Sequence, residues 1–166
     1  MTDFQLLELR DVPPDLYSLT FYAQGMRVGD LDYEVLFLPL GAGWFGYEES
    51  FRQEIAGLPD QTFEIKFALS KDIEEGGPNF HKPEDFGYPR FTRKQFGALG
   101  EGLMQSVRVF DKTIRPEAYV AVALDDRPQL SRYYDRLVTS YGGQIEELGY
   151  RFQGTMKGQG YAFLRI

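Results

Sequence analysis

The chain has 166 residues and a formal net charge of −7, and 43% of its residues are hydrophobic. Aromatic residues make up 16%, enough to build a core, since each buried aromatic side chain removes roughly 150–250 Å² from water. The acidic balance argues against a nucleic-acid-binding protein, because neutralising phosphates needs a basic face. The lack of cysteine excludes disulfides, thiol catalysis and Cys-ligated zinc, and a single histidine excludes a His-rich metal site.

The length fits a single domain over residues 1–166. The first residues, MTDFQLLELRDVPP, lack a basic segment followed by an apolar stretch, so no signal peptide is expected. No apolar run approaches the roughly 18–20 residues that a membrane-spanning helix needs. We therefore expect a soluble, cytoplasmic protein that binds neither membranes nor nucleic acid.

The first part of the chain predicts an antiparallel hairpin. A short apolar segment at 4–10 is followed by a proline break, and residues 16–23 (LYSLTFYA) have the aromatic and branched side chains of a strand. Gln24-Gly25 and Gly29-Asp30 are turn residues. Residues 33–38 (YEVLFL) predict the second strand, and a loop of moderate length joins the two.

The next part predicts a short helix and a third strand between two loops. Residues 41–47 (GAGWFGY) form a glycine and aromatic loop, and 48–56 predict the short helix. Residues 62–69 (TFEIKFAL) alternate with a period of two, which predicts a half-buried strand. Residues 70–90 are polar and rich in glycine and proline, which predicts a long loop. The outward-facing residues of the strand are predicted to be Thr62, Glu64, Lys66 and Ala68.

The second half predicts two long helices among three strands. Apolar residues at helical spacing predict a helix that begins near Thr92 and ends before Pro116. A second helix begins at 125–128 (DDRP), where an Asp cap precedes Pro, and we expect a break at Gly142-Gly143. The predicted strands lie at 118–124, 150–156 and 161–166, the last two as a C-terminal hairpin.

This order of elements predicts an α+β fold with a mixed, mostly antiparallel sheet and two main helices. A helix, a strand and a second helix in succession imply at least one parallel pair of strands.

A segment that contains three glycines, residues 95–104 (QFGALGEGLM), coincides with the start of the first long helix. Unpaired N–H groups and the positive end of the helix dipole suit an anion there, and small residues let a phosphate approach the backbone. Arg90, Arg93 and Lys94 just ahead form a positive cluster in an acidic chain. The alternative is the glycine-rich start of an ordinary packed helix.

On these residues, the second half resembles the GCN5-related N-acetyltransferase (GNAT) family, whose Gln/Arg-x-x-Gly-x-Gly/Ala loop holds the pyrophosphate of acetyl-CoA. Gln95 matches the first position and Gly100 the last, whereas Ala98 replaces the middle glycine. In that family a strand, a helix and two strands follow, which is the order predicted here. The resemblance implies acetyl-CoA as the cofactor, an amine as the acceptor and a GNAT-like topology in the second half. The cofactor-binding residues that it implies are Arg93, Lys94, Gln95, Phe96, Gly97, Ala98, Leu99 and Gly100.

The resemblance also implies two catalytic residues. Residues 131–137 (SRYYDRL) are similar to the family segment whose tyrosine protonates the thiolate of coenzyme A, which gives that role to Tyr134. A phenol suits a general acid because its ordinary pKa, about 10, keeps it protonated at neutral pH. Glu64 is the nearest candidate for the general base on the preceding strand. The alternatives are a core tyrosine and a solvated strand carboxylate.

The family's usual opening of strand, helix, helix and strand is not predicted here. A second resemblance, to small proteins of tailed bacteriophages, rests on Pro116-Glu117, on the strand at Tyr119, on 131–136 and on Gly149-Tyr150. It implies a phage origin, with a place in the host cytoplasm or the virion, and no activity. A non-catalytic binding or structural protein that keeps a GNAT-like fold is therefore the alternative to an acetyltransferase.

Two loops carry further candidates. His81 beside Glu84 and Asp85 lacks a defined ligand spacing, so a solvated loop is favoured and no metal is expected. Trp44, Phe45 and Tyr47 form a candidate contact surface for a protein partner, because aromatic residues are enriched at binding hot spots. The alternative is burial of these aromatic side chains against the sheet.

Overall fold

A computed structural model describes residues 4–12, 21–40, 53, 55, 58–75, 82–122, 128–155 and 160–166. The predicted aromatic loop at 41–47 lies outside these residues, and so does the predicted helix at 48–56 apart from positions 53 and 55. The partner surface of Trp44, Phe45 and Tyr47 therefore stays a prediction.

In the described ranges the chain forms seven strands, three α-helices and one 3₁₀ helix (Pro83–Phe86). The strands are β1 (Phe4–Val12), β2 (Phe21–Val28), β3 (Leu31–Pro39), β4 (Thr62–Leu69), β5 (Ala118–Val122), β6 (Tyr150–Thr155) and β7 (Gly160–Arg165). The helices are α1 (Ser70–Glu74), α2 (Arg93–Ile114) and α3 (Pro128–Glu147). None of the described helices is long and apolar enough to cross a membrane.

The strands form one sheet in the order β1-β2-β3-β4-β5-β7-β6. β4 and β5 pair in parallel, whereas β1 with β2, β2 with β3, β5 with β7 and β6 with β7 pair antiparallel. The predicted α+β class, the mixed and mostly antiparallel sheet and the two main helices are confirmed.

Contacts divide the chain into two compact units, the first made of residues 1–13, 21–37 and 66–115. In this unit α2 lies against β1 and β2. Phe110 of α2 is fully buried, and its ring stacks on Phe37 with centroids 4.0 Å apart, while Tyr22 meets it edge-on. The apolar stripe that predicted the helix is thus the face that packs on the sheet. The prediction of a single domain stays a prediction.

The second unit comprises residues 14–20, 38–65 and 116–166. Residues 62–64 of β4 pair with residues 118–120 of β5, and β7 pairs with β5 on one side and β6 on the other. Tyr150 is buried, and its hydroxyl donates to the carbonyl of Pro116 at 2.7 Å and accepts from Arg165 at 2.9 Å. This pair of hydrogen bonds fixes the start of β6 to the approach to β5.

The predicted turn at Gln24-Gly25 is wrong, because both residues lie inside β2. The register of β1 against β2 shifts between Leu6 and Leu9, which leaves irregular backbone there. The buried side chain of Gln24 donates to the carbonyl oxygens of Leu7 at 3.0 Å and Gly25 at 2.9 Å. Gln24 is therefore a strand residue whose side-chain amide satisfies backbone carbonyl groups at the irregular part of β1 and in β2.

Two other boundaries differ from the predictions. Residues 70–90 were expected to form one loop, yet α1 and the 3₁₀ helix lie in this range. The break expected at Gly142-Gly143 is also wrong, because α3 runs without interruption to Glu147. Gly142 is buried with the Phe163 ring nearby, and Gly149, at a φ of 105°, follows the end of the helix instead. Packing outweighs the cost of roughly 1 kcal/mol for each helical glycine.

Candidate functional site

The start of α2 is capped by the side chains of Thr92 and Gln95. Thr92 is the N-cap residue, and its hydroxyl accepts from the N–H of Gln95 at 3.1 Å. The Gln95 side chain in turn accepts from the N–H of Thr92 at 2.8 Å. This reciprocal capping box fixes the first turn at Arg93 and commits the Gln95 amide to the helix end.

The segment that the resemblance treats as a phosphate loop is helical. α2 begins at Arg93, so residues 95–100 lie in its first two turns rather than ahead of it. The N–H of Phe96 already donates to the carbonyl of Thr92 at 3.0 Å. These residues are therefore helical, and the N–H groups beyond the first turn donate to carbonyl groups of the helix itself.

The small residues of this segment serve packing. Ala98, Leu99 and Gly100 are buried in α2. At Gly102 a Cβ atom would overlap the sulfur of Met26 and lie 3.3 Å from Cδ2 of Phe4. The absence of a side chain thus lets α2 approach β1 and β2 closely, which is the ordinary packing role considered from the sequence.

Three side chains at the helix start remain exposed. Arg93 and Lys94 are exposed cations, and 43% of Phe96 is exposed although its ring meets Phe91 edge-on. Within 93–100 these cations are the groups suited to an anionic ligand. The residues 97–100, in contrast, do not form a backbone cradle.

Glu64 lies on β4, opposite Val120 of β5, and only 8% of it is exposed. The expectation of a solvated, outward-facing carboxylate is therefore wrong. Thr62, Lys66 and Ala68 were also predicted to face solvent. They are buried too, because both faces of β4 are covered. A carboxyl group kept inside a protein is costly to bury, so its presence is informative about function.

Tyr134 lies on α3 and is 5% exposed. Burial raises the pKa of its phenol, and the nearby charge of Glu64 raises this pKa further. The two residues for which the resemblance implies catalytic roles are therefore both buried and within electrostatic range of each other. A phenol in this environment stays protonated over the whole neutral range.

Tyr161 and Asp135 complete this group of side chains, which we call the tyrosine–carboxylate cluster (Glu64, Tyr134, Asp135 and Tyr161). The buried Tyr161 ring on β7 stacks on Tyr134 with centroids 6.3 Å apart and planes at 29°. The Tyr161 hydroxyl donates to Oδ1 of Asp135. Burial and this hydrogen bond raise the pKa of Tyr161. Sequence analysis missed both residues, because no spacing pattern links positions 135 and 161.

The cluster can accept and donate protons. Glu64 offers a carboxylate that can take a proton, and Tyr134 offers a phenol that is protonated at neutral pH. An acid and a base in one buried environment are what proton transfer to and from a bound reactant requires. All four members belong to the second unit.

The described residues contain no group of three or more acidic or histidine side chains that could hold a metal ion. Asp85 is engaged locally, since its carboxylate accepts from the N–H of Lys82 at 2.8 Å and caps the 3₁₀ helix. His81 lies outside the described residues, so its part in the loop stays a prediction.

No protein-family model, no curated protein and no solved structure gives a significant match to this chain. Function is therefore inferred from the side chains of the cluster and of the helix start.

Proposed function

We propose that this chain is an acetyl-CoA-dependent N-acetyltransferase-like protein that acts on an amine, with Glu64 as general base and Tyr134 as general acid. The observation that carries the proposal is that Glu64 and Tyr134 are both buried and that the Glu64 carboxyl group acts electrostatically on the Tyr134 phenol. The order β4, α2, β5, α3, β6 and β7 supports it, because the GNAT resemblance implies this order. A cytoplasmic location belongs to the same proposal.

In the proposed reaction the chain's own groups move the protons. Glu64 accepts a proton from the ammonium form of the acceptor, which leaves a neutral amine able to attack a carbonyl carbon. Bound acetyl-CoA supplies the acetyl group as a thioester. When the carbon–sulfur bond breaks, Tyr134 donates its phenolic proton to the departing thiolate, and the phenolate regains a proton afterwards. Burial excludes water that would compete with the amine.

The helix start fits the cofactor only in part. Arg93 and Lys94 are exposed cations that suit its phosphates, and the proposal assigns binding to them. Gly97, Ala98, Leu99 and Gly100 are helical, so the proposal gives them no contact with the pyrophosphate.

One alternative is favoured by specific observations. It is a non-catalytic binding or structural protein of phage origin that retains a GNAT-like fold. The sequence does not predict the strand, helix, helix and strand with which the family opens, and the helices of that opening build its acceptor site. The capping box at the start of α2 favours the same alternative, because it commits the Gln95 side chain to the helix end.

Isothermal titration of the protein with acetyl-CoA and with coenzyme A separates the two functions. We expect micromolar binding that weakens at least tenfold in Arg93→Ala/Lys94→Ala, because each lost phosphate contact removes about 1 kcal/mol or more. Lys112→Ala, which removes an exposed cation from the other end of α2, is the matched control. Tyr134→Phe should bind normally. If millimolar acetyl-CoA and coenzyme A give no heat of binding, the enzyme proposal is overturned and the non-catalytic alternative is favoured.

A further inference from the structure

Tyr161 and Asp135 connect a strand to the helix at the position of the proposed acid. Tyr161 lies on β7 opposite Ala121 of β5 and Gly154 of β6. Its hydroxyl reaches across to Asp135, which follows Tyr134 directly in α3. The Tyr161 ring, meanwhile, covers the Tyr134 ring. One residue of β7 therefore contacts two successive residues of α3 through two different interactions.

We infer that Tyr161 and Asp135 are positioning residues for Tyr134: their hydrogen bond fixes the Tyr161 ring, and the stacked ring fixes the phenol of Tyr134. The inference rests on the proposed function, in which Tyr134 is the proton donor. It adds to that function the two residues that orient the Tyr134 phenol. Neither residue is assigned contact with substrate.

The physical need for such a pair follows from the geometry of proton transfer. A general acid must lie within hydrogen-bond reach of the atom that it protonates, and a misplacement of about 1 Å can cost roughly a hundredfold in rate. Tyr134 is carried by α3, whereas Glu64 is carried by β4. A ring held on β7 gives the Tyr134 side chain a fixed wall on the sheet. Asp135 is exposed, and its carboxylate accepts the hydrogen bond from the Tyr161 phenol.

The ionisable groups around the pair are few among the described residues. Glu64 of β4, Tyr161 of β7 and Tyr133 of the same helix act electrostatically on Tyr134. Asp135 acts on Tyr161, and the strand neighbours of Tyr161, Ala121 and Gly154, carry no titratable group. Asp135 and Tyr161 are therefore changed at a single pH with Glu64 and Tyr133 kept, so that these two groups act on the Tyr134 signal in every variant.

Nuclear magnetic resonance of the full chain, labelled with ¹³C at tyrosine Cζ, tests the inference without any ligand. The variants are Tyr161→Phe, which keeps the ring, Asp135→Ala, the double variant, and Asp135→Asn, which keeps an acceptor. We expect the Tyr134 resonance to shift and broaden in both single variants, and to the same extent in the double variant, because one hydrogen bond is lost in each. Asp135→Asn should lie between these variants and the wild type.

Glu147→Ala is the matched control, since it removes an exposed carboxylate from the same helix. It should leave the Tyr134 resonance unchanged. An unchanged Tyr134 resonance in Tyr161→Phe and Asp135→Ala would overturn the inference. So would a double variant whose change equals the sum of the two single changes, because the residues would then act independently.

Steady-state kinetics separates this inference from the proposed function. In an active protein, Tyr161→Phe and Asp135→Ala should lower kcat about tenfold with KM for acetyl-CoA unchanged, and Asp135→Asn should recover most of the rate. Full kcat in both single variants overturns the positioning role although the enzyme proposal survives. A wild-type protein that transfers acetyl to no amine overturns the enzyme proposal, and the resonance of Tyr134 still decides whether the pair fixes this side chain.

Discussion

The family resemblance gave functional roles both to the start of α2 and to Glu64 and Tyr134 of the tyrosine–carboxylate cluster, yet the two regions differ in the structure. At the helix start a local structural cause accounts for each feature of the segment: Thr92 and Gln95 cap the helix, and Gly102 allows close packing. In the cluster, Glu64 is a buried carboxyl group, which is costly to place in a protein interior. A glycine motif is therefore weaker evidence for a site than a buried carboxyl group within electrostatic range of a buried phenol.

The largest expected effects are those of substitutions at Glu64 and Tyr134, which test whether the cluster is catalytic. Glu64→Gln and Tyr134→Phe should each lower kcat by about a hundredfold or more, because general acid–base catalysis contributes roughly 10²–10⁴ in rate. Both substitutions preserve side-chain volume, so the midpoint of thermal unfolding should change little. Rates are measured with acetyl-CoA and the best amine of a screen.

The control variants for this pair are Glu117→Gln, an exposed carboxylate of the same unit, and Tyr141→Phe, a tyrosine of the same helix. Both should retain the wild-type rate. If Tyr134→Phe also retains it, Tyr134 is a core residue and the cluster loses its proposed acid.

The packing side of the comparison is tested at Gly102. Gly102→Val should destabilise the protein by about 1–3 kcal/mol, because added methyl groups must displace Met26 and Phe4 from a filled space. Chemical denaturation measures the loss. Gly143→Val is a matched control, since this glycine is also helical but exposed, with no atom within 4 Å of its Cβ position. A small and equal effect at both positions would contradict the close approach of α2.

Much of this fold could be predicted from the sequence because local patterns determine it. The stripe of Leu99, Leu103 and Phe110 predicted α2, and alternation predicted β4. The capping box at Thr92 and Gln95 was also readable, as Thr-x-x-Gln before an apolar run, and agrees with the helix start predicted near Thr92.

The remaining features depend on partners that are distant along the chain. Gln24 lies in β2 beside the register shift of β1, and Glu64 is buried because β4 is covered on both faces. The hydrogen bond from Tyr161 to Asp135 spans 26 positions and depends on where β7 pairs with β5. The resemblance identified Glu64 and Tyr134 of the candidate site from the sequence. Tyr161 and Asp135, which are proposed to position Tyr134, were found only in the structure.

The smallest expected effect separates the two interpretations of the helix start most cleanly. Gly97 is exposed in the second turn of α2, with no atom within 4 Å of its Cβ position. As an ordinary helical glycine it costs roughly 0.5–1 kcal/mol relative to alanine, so Gly97→Ala should stabilise the protein by about that amount. As part of a phosphate cradle it would instead place a methyl group against the ligand and weaken binding. Denaturation and titration with acetyl-CoA on the same variant distinguish these cases: higher stability with unchanged affinity assigns Gly97 to the helix, whereas weaker affinity returns the pyrophosphate to the glycine segment.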